Sequence, residues 1–533
     1  MNKKLIIYLG LLSKGSFDQA QTLLKEIDPS LTEWEKLFAI GARLHRANDL
    51  AAAESFYRRA CADPSAEGAV FANLGKILNG MGRYREASEY LERAFTSMPN
   101  DLKVIGDLLT ALLDGNKHGR ALELIKQLPS SIKKDRFVRL GESAAYRAAG
   151  DRKRAMKVLD GLLKEFPNDA LVHRMLGDTI GEVSSEESLV HYDLALKYAS
   201  RTRNAGALYT TQWNMSLHLL RLRDFGRGWN YYEAGLTREV GTMGRKLPPN
   251  LYGVLRADHT GRARDGKWTI VLVEQGIGDQ VLFLSTLQEA IDEFERIILL
   301  CEPRLVPIVK RSFPAVVIGM PGLIEYLGSN EFISPGFVPL GSFMRRYRPS
   351  LSAFVKNRHS FLVVDQKRYQ TYRAKLLQKA NGRPIVGISW KGGFWENQQR
   401  NKAIEIEHWE PVFKRNAMVV NLQYGDVTKE SEWAKSQGHE LFNIDGIDFK
   451  ENLDEWLTLA AACDGIVSVS TALVHFAGAC GQKVGVVMPE RQGPWIWGID
   501  DTRSIVYPNV FLYRMRAGES RRELIERVSN VIS

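Results

Sequence analysis

This 533-residue sequence has few cysteines, and none of them falls in a recognisable pattern. Cys61, Cys301, Cys463 and Cys480 form neither a Cys-x-x-Cys motif nor a paired spacing, which argues against a disulfide framework and against a zinc site. No apolar run approaches the roughly 20 residues of a membrane helix. The apolar run Leu5–Leu12 is short and no small-residue cleavage site follows it, which argues against a signal peptide, and it also fits the first helix of a repeat. We therefore expect a cytoplasmic protein without a membrane span.

Several catalytic motifs are also missing. The sequence contains no Asp-x-Asp that would hold a metal ion against a sugar diphosphate, and no Gly-x-x-x-x-Gly-Lys-Ser/Thr loop for ATP. Gly276 and Gly278 are not followed by a third glycine at dinucleotide spacing, which argues against a nicotinamide enzyme. The formal charge is +10, but the basic residues are scattered and do not alternate with aromatic residues. This favours anionic ligands or an acidic partner over nucleic acid.

The first half of the chain contains an internal repeat. Alanines recur at intervals of 33 or 34 residues, at Ala20, Ala53, Ala87, Ala121 and Ala155. This is the period of tetratricopeptide repeats, in which each unit is a pair of antiparallel helices. The helical pattern continues with altered spacing through Ala170–Tyr198 and Trp213–Gly235, so we expect about seven units that end near residue 235. Such a solenoid binds a protein acceptor on its concave surface, or alternatively acts as a scaffold or oligomerisation surface.

Beyond a glycine- and proline-rich segment at 236–266, strand-like and helical runs alternate. The strand-like runs are Trp268–Val273, Arg296–Cys301, Ala315–Ile318, Pro384–Ser389, Met418–Leu422, Gly465–Val469 and Lys483–Val487. Alternation of this kind predicts parallel sheets with crossover helices. We expect two sheets, in lobes 267–380 and 381–533, joined by a helix over Gln366–Ala380 and closed by a helix over Ser520–Val531. The first lobe is short and is expected to rest against the repeats.

Two strand-turn-helix units carry the candidate chemistry. In Val467–Gly481, a strand leads through Ser470 and Thr471 into a helix of small residues. Because these two residues stand where a helix N-cap belongs, the free N–H groups of the first turn and the helix dipole can face a phosphate. The earlier unit runs from the strand Trp268–Val273 into Glu274-Gln275-Gly276-Ile277-Gly278-Asp279 and an apolar helix.

On these motifs, the segment from about Trp268 to Tyr513 resembles glycosyltransferases of fold B, in particular the bacterial lipopolysaccharide heptosyltransferase type with preceding tetratricopeptide repeats. Some members of that group glycosylate flagellin or other surface proteins. The resemblance implies an all-helical solenoid followed by a two-lobed Rossmann-like domain. It also implies metal-independent, inverting transfer from a nucleotide-sugar, which is a substrate, so no further cofactor is expected.

The resemblance also implies roles for individual residues. Asp279 matches the aspartate of a Gly-x-Gly-Asp loop and is the candidate general base, although an acidic residue there also complements the helix dipole. Glu274 is the reserve candidate. Gly276 and Gly278 would let the backbone approach the ligand. Lys402 matches a lysine that contacts the donor phosphates, with Trp390, Lys391 and Arg400 nearby.

The last motif departs from the family pattern. Where heptosyltransferases have Asp-Thr-Gly-x-x-His, this chain has Ser470-Thr471-Ala472-Leu473-Val474-His475. With both changes the backbone N–H groups can still donate to a phosphate. A serine at position 470, however, cannot have an acidic role. His475 either bonds a phosphate or holds the neighbouring loop. Tyr424, Pro489 and the loop Gly493–Gly498 are further candidates at the cleft edge. The alternatives are a catalytically inactive repeat scaffold and a transferase that acts on a glycan or lipid.

Overall fold

The computed structural model describes residues 33–46, 49–237, 240, 244, 245, 247, 267–294, 296–320, 337–392, 403–489 and 493–529. The chain divides into two compact units, with the boundary between Thr179 and Ile180. Among the described residues, no helix is long and apolar enough to cross a membrane.

The first unit consists of antiparallel helix pairs, as the alanine spacing predicts. Its helices are α1 Glu33–Arg46, α2 Leu50–Cys61, α3 Gly68–Gly80, α4 Tyr84–Ser97, α5 Leu102–Asp114, α6 His118–Gln127, α7 Ser130–Lys133, α8 Arg136–Ala148, α9 Arg152–Glu165 and, reaching into the second unit, α10 Ala170–Ile180. Ala53, Ala87, Ala121 and Ala155 are completely buried, whereas Ala20 lies outside the described residues. A Cβ at Gly75 would stand 2.4 Å from Leu91 Cγ, so the paired helices cross too closely for a larger residue.

The second unit begins with three more helices, α11 Ser185–Arg201, α12 Ala205–Arg221 and α13 Phe225–Tyr232, and then a 3₁₀ turn at Glu233–Leu236. Within the second unit, α12 packs against both α11 and α13. The side chains of Trp213, Phe225 and Trp229 belong to the same buried cluster as both sheets. Trp229 Nε1 donates to the Arg348 carbonyl at 2.8 Å, and the Trp229 ring packs edge-on against Trp495. The last repeat helices therefore cover the first lobe, as expected from its short length.

The first sheet has four parallel strands in the order β3-β2-β1-β4. The strands are β1 Thr269–Leu272, β2 Ile297–Leu300, β3 Val317–Ile318 and β4 Val338–Pro339, and the helices of this lobe are α14 Ile277–Leu284, α15 Leu287–Phe294, α16 Val306–Ser312, α17 Phe343–Tyr347 and α18 Leu351–Lys356. The helix α19 Gln366–Ala380 then connects the two lobes, with the bounds that the sequence predicts.

The second sheet has six parallel strands in the order β10-β9-β8-β5-β6-β7. The strands are β5 Ile385–Ser389, β6 Met418–Asn421, β7 Leu441–Phe442, β8 Gly465–Val469, β9 Val484–Met488 and β10 Val510–Arg514, and the helices are α20 Glu410–Phe413, α21 Thr428–Ser436, α22 Leu453–Ala461, α23 Ala472–Ala479 and the closing α24 Arg521–Ser529. The predicted fold class, a helical repeat region followed by two parallel α/β lobes, is confirmed. Strands β4, β7 and β10 lie outside the predicted runs. Two of them are only two residues long, whereas β10 begins with the apolar run Val-Phe-Leu-Tyr, which was a usable signal.

Candidate functional site

The first strand-turn-helix unit connects β1 to α14. Gly276 is the N-cap of this helix and has extended backbone, and Asp279 lies half-buried in the first turn. Gln275, just before the cap, has a φ of 76°. A left-handed conformation is unfavourable for a residue with a Cβ, so this turn depends on its surroundings. The reserve base Glu274 is buried and ion-paired with Arg245.

The second strand-turn-helix motif connects β8 to α23 through Ser470 and Thr471. Thr471 is the N-cap, with extended backbone, and its side chain makes no capping hydrogen bond. The hydroxyl oxygen of Ser470 instead accepts a hydrogen bond from Trp497 Nε1 at 2.8 Å. Because neither hydroxyl caps the helix, the turn has the form of an anion-binding helix N-terminus.

The two strand-turn-helix motifs are in direct contact through their helices, α14 and α23. A Cβ placed on Gly278 would stand 3.0 Å from His475 Cδ2 and 3.5 Å from the Ala472 Cα. The absence of a side chain at Gly278 therefore lets α14 of the first lobe contact α23 of the second lobe. A Cβ on Gly276 would lie 3.5 Å from Asp279 Oδ2. The structure thus brings together two motifs that are separated by almost two hundred residues in the sequence.

His475 is buried in this contact, and its side chain is held by residues that follow it in the sequence. Its Nδ1 lies 2.9 Å from the Tyr507 hydroxyl oxygen, and its ring lies 5.2 Å from the Trp497 ring. The contact with Tyr507 is compatible with the role in which His475 holds a neighbouring segment, and phosphate binding by His475 stays a prediction. The other ring edge faces Gly278.

Burial raises the pKa of Tyr507 well above its ordinary value of 10.0, and the negative charge of Asp279 adds to the effect. The folded protein therefore keeps a proton on this phenol that the unfolded chain releases near pH 10. The free energy of unfolding is expected to fall as the pH rises above about 10, and to be unaffected by this group at lower pH. Denaturant unfolding at pH 8 to 11 should show a shallower decline for Tyr507→Phe than for wild type. An equally shallow decline in Tyr209→Phe, which removes a half-buried hydroxyl of the same unit, would contradict the assignment to Tyr507.

The carboxyl end of β5 lies beside the turn between β8 and α23. A Cβ on Gly392 would stand 2.5 Å from Thr471 Cγ2. Gln423 Oε1 accepts hydrogen bonds from the backbone N–H groups of Trp390 at 3.1 Å and Lys391 at 2.9 Å, which holds this turn in place. The Lys391 ammonium group pairs with Glu430 at 2.9 Å.

The remaining predicted residues lie at the edges of this region. Tyr424 packs edge-on against Trp456, and the half-buried Pro489 directly follows β9, the neighbour of β8. Trp495 and Trp497 are buried by packing within the protein. Lys402 and Arg400 lie outside the described residues.

Two cavities open at the carboxyl edge of the second sheet. One, of about 290 Å³, is lined by Trp390, Lys391 and Glu430 among others. The other, of about 710 Å³, lies beyond β6 and β7 and is lined by Gln423 and Phe449 among others. In parallel α/β sheets, ligands bind at this edge. The described residues contain no group of three or more histidine, cysteine, aspartate or glutamate side chains arranged to hold a metal ion.

Three residues of this region were not predicted from the sequence. Gln423 directly follows the predicted strand β6, so its position at a carboxyl end was a usable signal. Tyr507 and Arg245 lie in segments without a motif. Only the folded chain brings Tyr507 to His475 and Arg245 to Glu274.

The bond from Trp497 to Ser470 leads to a test. Trp497→Phe keeps a buried aromatic ring but removes the donor, so we expect the free energy of unfolding to fall by about 1 kcal/mol. The Ser470 turn would lose its anchor, and the backbone amides of residues 470–473 should exchange with solvent severalfold faster. Trp495→Phe is the matched control, because it truncates a buried tryptophan of the same loop that packs against Trp229 instead. Equally faster exchange of these amides in both variants would contradict a specific role of the Ser470 bond.

The chain was compared with known proteins by sequence and by structure. No protein-family profile matches the chain. Protein FlbA of Caulobacter vibrioides (strain ATCC 19089 / CIP 103742 / CB 15) is 26% identical over 462 residues, which cover 82% of this chain and 74% of FlbA. A tetratricopeptide repeat protein from Parabacteroides merdae matches 43% of this chain and 90% of its own, at 13% identity and a TM-score of 0.34. A family 9 glycosyl transferase from Veillonella parvula matches 50% of this chain and 96% of its own, at 10% identity and a TM-score of 0.36.

Proposed function

We propose that this chain is an inverting, metal-independent glycosyltransferase that moves a sugar from a nucleotide-sugar donor to a protein acceptor. One observation carries the proposal: the first turns of α14 and α23, one from each lobe, meet at Gly278 and His475. The proposal takes Asp279, next to Gly278 on one lobe, as the carboxylate and the helix N-terminus on the other lobe as the phosphate site. The resemblance to heptosyltransferases assigns the same two turns to acceptor activation and donor binding.

In the proposed reaction, the donor phosphates sit on the N-terminus of α23, with Lys402 supplying a positive charge. The Asp279 carboxylate accepts the proton of the acceptor hydroxyl, and the hydroxyl oxygen attacks the anomeric carbon from the face opposite the nucleotide. The bond between that carbon and the phosphate oxygen breaks, which inverts the configuration. The lysine and the helix N–H groups stabilise the charge on the departing nucleotide, the role that a metal ion has in other transferases.

The repeats are proposed to recruit the acceptor, since stacked helix pairs present an extended concave surface. A flagellin or another bacterial surface protein is the preferred acceptor class, by resemblance alone, in a cytoplasmic reaction. The cavities at the carboxyl edge of the second sheet are proposed to receive the nucleoside and sugar.

A binding panel tests the donor site. Calorimetric titration and thermal shift with UDP, GDP, ADP, CMP and the corresponding sugars should show binding of one nucleotide. Lys402→Ala should weaken that binding by about tenfold or more, because a charge-assisted contact to phosphate is lost. Lys414→Ala is the matched control: Lys414 is exposed, pairs with Glu410, and lies near the opposite edge of the second sheet. Absence of binding across the panel would favour the inactive scaffold.

A further inference from the structure

A buried ionic cluster lies directly before the α14 turn. The Arg245 side chain is completely buried, as is the Glu274 carboxylate with which it pairs. Arg245 Nε donates to Glu274 Oε1 at 3.0 Å, while Arg245 Nη1 donates to Glu233 Oε1 and to Ser342 Oγ, each at 2.9 Å. The Gly341 N–H also donates to Glu274 Oε1, at 3.2 Å. The cluster joins the end of the repeat helices, the first sheet and the 3₁₀ turn after β4.

This cluster is built for a charged guanidinium. Burial lowers the pKa of Arg245, but the Glu274 and Glu233 carboxylates more than offset this and raise it above its ordinary value. The guanidinium also lies 5.1 Å from the centre of the Tyr232 ring, where a cation is attracted to the aromatic face. A buried pair of this kind is strongly destabilising when one partner is lost, because the other charge stays unpaired.

The ionic cluster is adjacent to Gln275, the residue with the left-handed backbone conformation. Gln275 directly follows Glu274, and its side-chain Nε2 donates to the Tyr232 hydroxyl oxygen at 3.3 Å. Its carbonyl oxygen accepts from Gln280 Nε2 at 3.0 Å. A residue with a Cβ keeps a φ of 76° only where its surroundings hold it there. Tyr232, the last residue of α13, contacts Gln275, and Arg245, which follows the repeats, contacts Glu274.

We propose that Arg245 and Tyr232 are positioning residues that hold the Glu274–Gly278 turn, so that Asp279 and the first turn of α14 face α23. The end of the repeat region thereby sets the geometry of the catalytic turn. This proposal rests on the proposed glycosyltransferase function for its catalytic consequence, but the held turn is a structural property that can be measured by itself.

Three full-length variants separate positioning from general stabilisation. Arg245→Lys keeps the charge but loses the branched set of donors. Tyr232→Phe keeps the ring and removes only the hydroxyl group that accepts from Gln275, so it preserves the fold if Arg245→Lys does not. Arg348→Lys is the matched control. Arg348 is another buried arginine of the first lobe, paired with Glu289, and it bonds the Ser285 carbonyl at the far end of α14.

Amide hydrogen exchange is the first measurement. Peptides that cover residues 274–280 should exchange about tenfold faster in Arg245→Lys and Tyr232→Phe than in wild type, and at the wild-type rate in Arg348→Lys. Wild-type exchange of this segment in Tyr232→Phe and in folded Arg245→Lys would overturn the proposal. Faster exchange throughout the second unit in all three variants would also overturn it, since that result indicates general stabilisation.

Turnover is the second measurement, followed as nucleotide release from UDP-glucose, GDP-mannose, ADP-glucose and CMP-N-acetylneuraminic acid. Misplacement of a catalytic group by about 1 Å can cost on the order of a hundredfold in rate. We therefore expect kcat to fall by roughly tenfold to a hundredfold with KM unchanged, because the donor phosphates bind the other lobe. Local exchange without any loss of kcat would overturn the catalytic part of the proposal. If wild type releases no nucleotide from any probe, the proposed function fails, while the exchange result still decides whether these residues hold the turn.

Discussion

Asp279→Asn is expected to reduce sugar transfer by about a hundredfold to ten-thousandfold, the range that a positioned general base contributes. The amide has nearly the same size and shape as the carboxylate, but it cannot accept the proton of the acceptor hydroxyl. Asp279 lies in the first turn of α14, next to Gly278, where the two lobes meet. The loss should therefore appear in kcat for transfer, while nucleotide binding, which we propose to involve the other lobe, should remain close to wild type.

The control for this variant is Asp292→Asn. Asp292 is an exposed carboxylate on α15 of the same lobe, where it accepts a hydrogen bond from Gln288 at 2.8 Å. The Asp292→Asn variant should transfer sugar at the wild-type rate. Comparable activity in Asp279→Asn and wild type would remove Asp279 as the base and leave it as a residue that complements the helix dipole. The buried, ion-paired Glu274 would be a poor replacement, because its oxygens already accept hydrogen bonds from Arg245 and Gly341.

A fragment that contains residues 262–533 is expected to be poorly soluble, whereas a fragment of residues 180–533 is expected to be monodisperse and to unfold cooperatively. The shorter fragment loses Trp213, Phe225, Trp229 and Tyr232, which are buried against both lobes. Its surface would then expose the apolar residues that they cover, such as Phe354 and Trp495. Loss of a single buried tryptophan typically costs about 3–5 kcal/mol, which is a large share of the stability of an ordinary domain.

Size-exclusion chromatography and thermal unfolding of the two fragments provide the test. The compact second unit begins at Ile180, so the longer fragment keeps all of the helices α11–α13. It also keeps Arg223, whose guanidinium pairs with Asp501 in the second lobe. A stable, monodisperse fragment 262–533 would show that the lobes do not need this cover.

The periodic parts of the fold were predictable from the sequence. The alanine period predicted the helix pairs because close helix crossing requires small residues, and Ala53 and Ala87 are completely buried. The apolar runs that became β5 and β8 predicted strands of a parallel sheet, because both faces of such a sheet are covered. The short strands β4 and β7 were not predicted, since two residues carry no period.

The candidate site was predictable only in part. Ser470, Thr471 and Gly278 were identified because they stand at strand ends and helix starts, where local chemistry is readable in a few residues. The sequence could not show that the Ser470 hydroxyl group accepts a hydrogen bond from Trp497, or that His475 lies against Tyr507. Each of these contacts joins residues about thirty positions apart through segments without a repeating pattern.

Local periodicity and capping were enough to predict the helical repeats, the two sets of parallel strands and the two strand-turn-helix motifs. The contact of α14 with α23 at Gly278, and the positions of Arg245 and Tyr232 beside the turn before Asp279, depend on the folded chain. The reason is physical: burial of apolar surface is not directional and brings distant segments together, and only then do the buried charges and hydroxyl groups find the partners that they require.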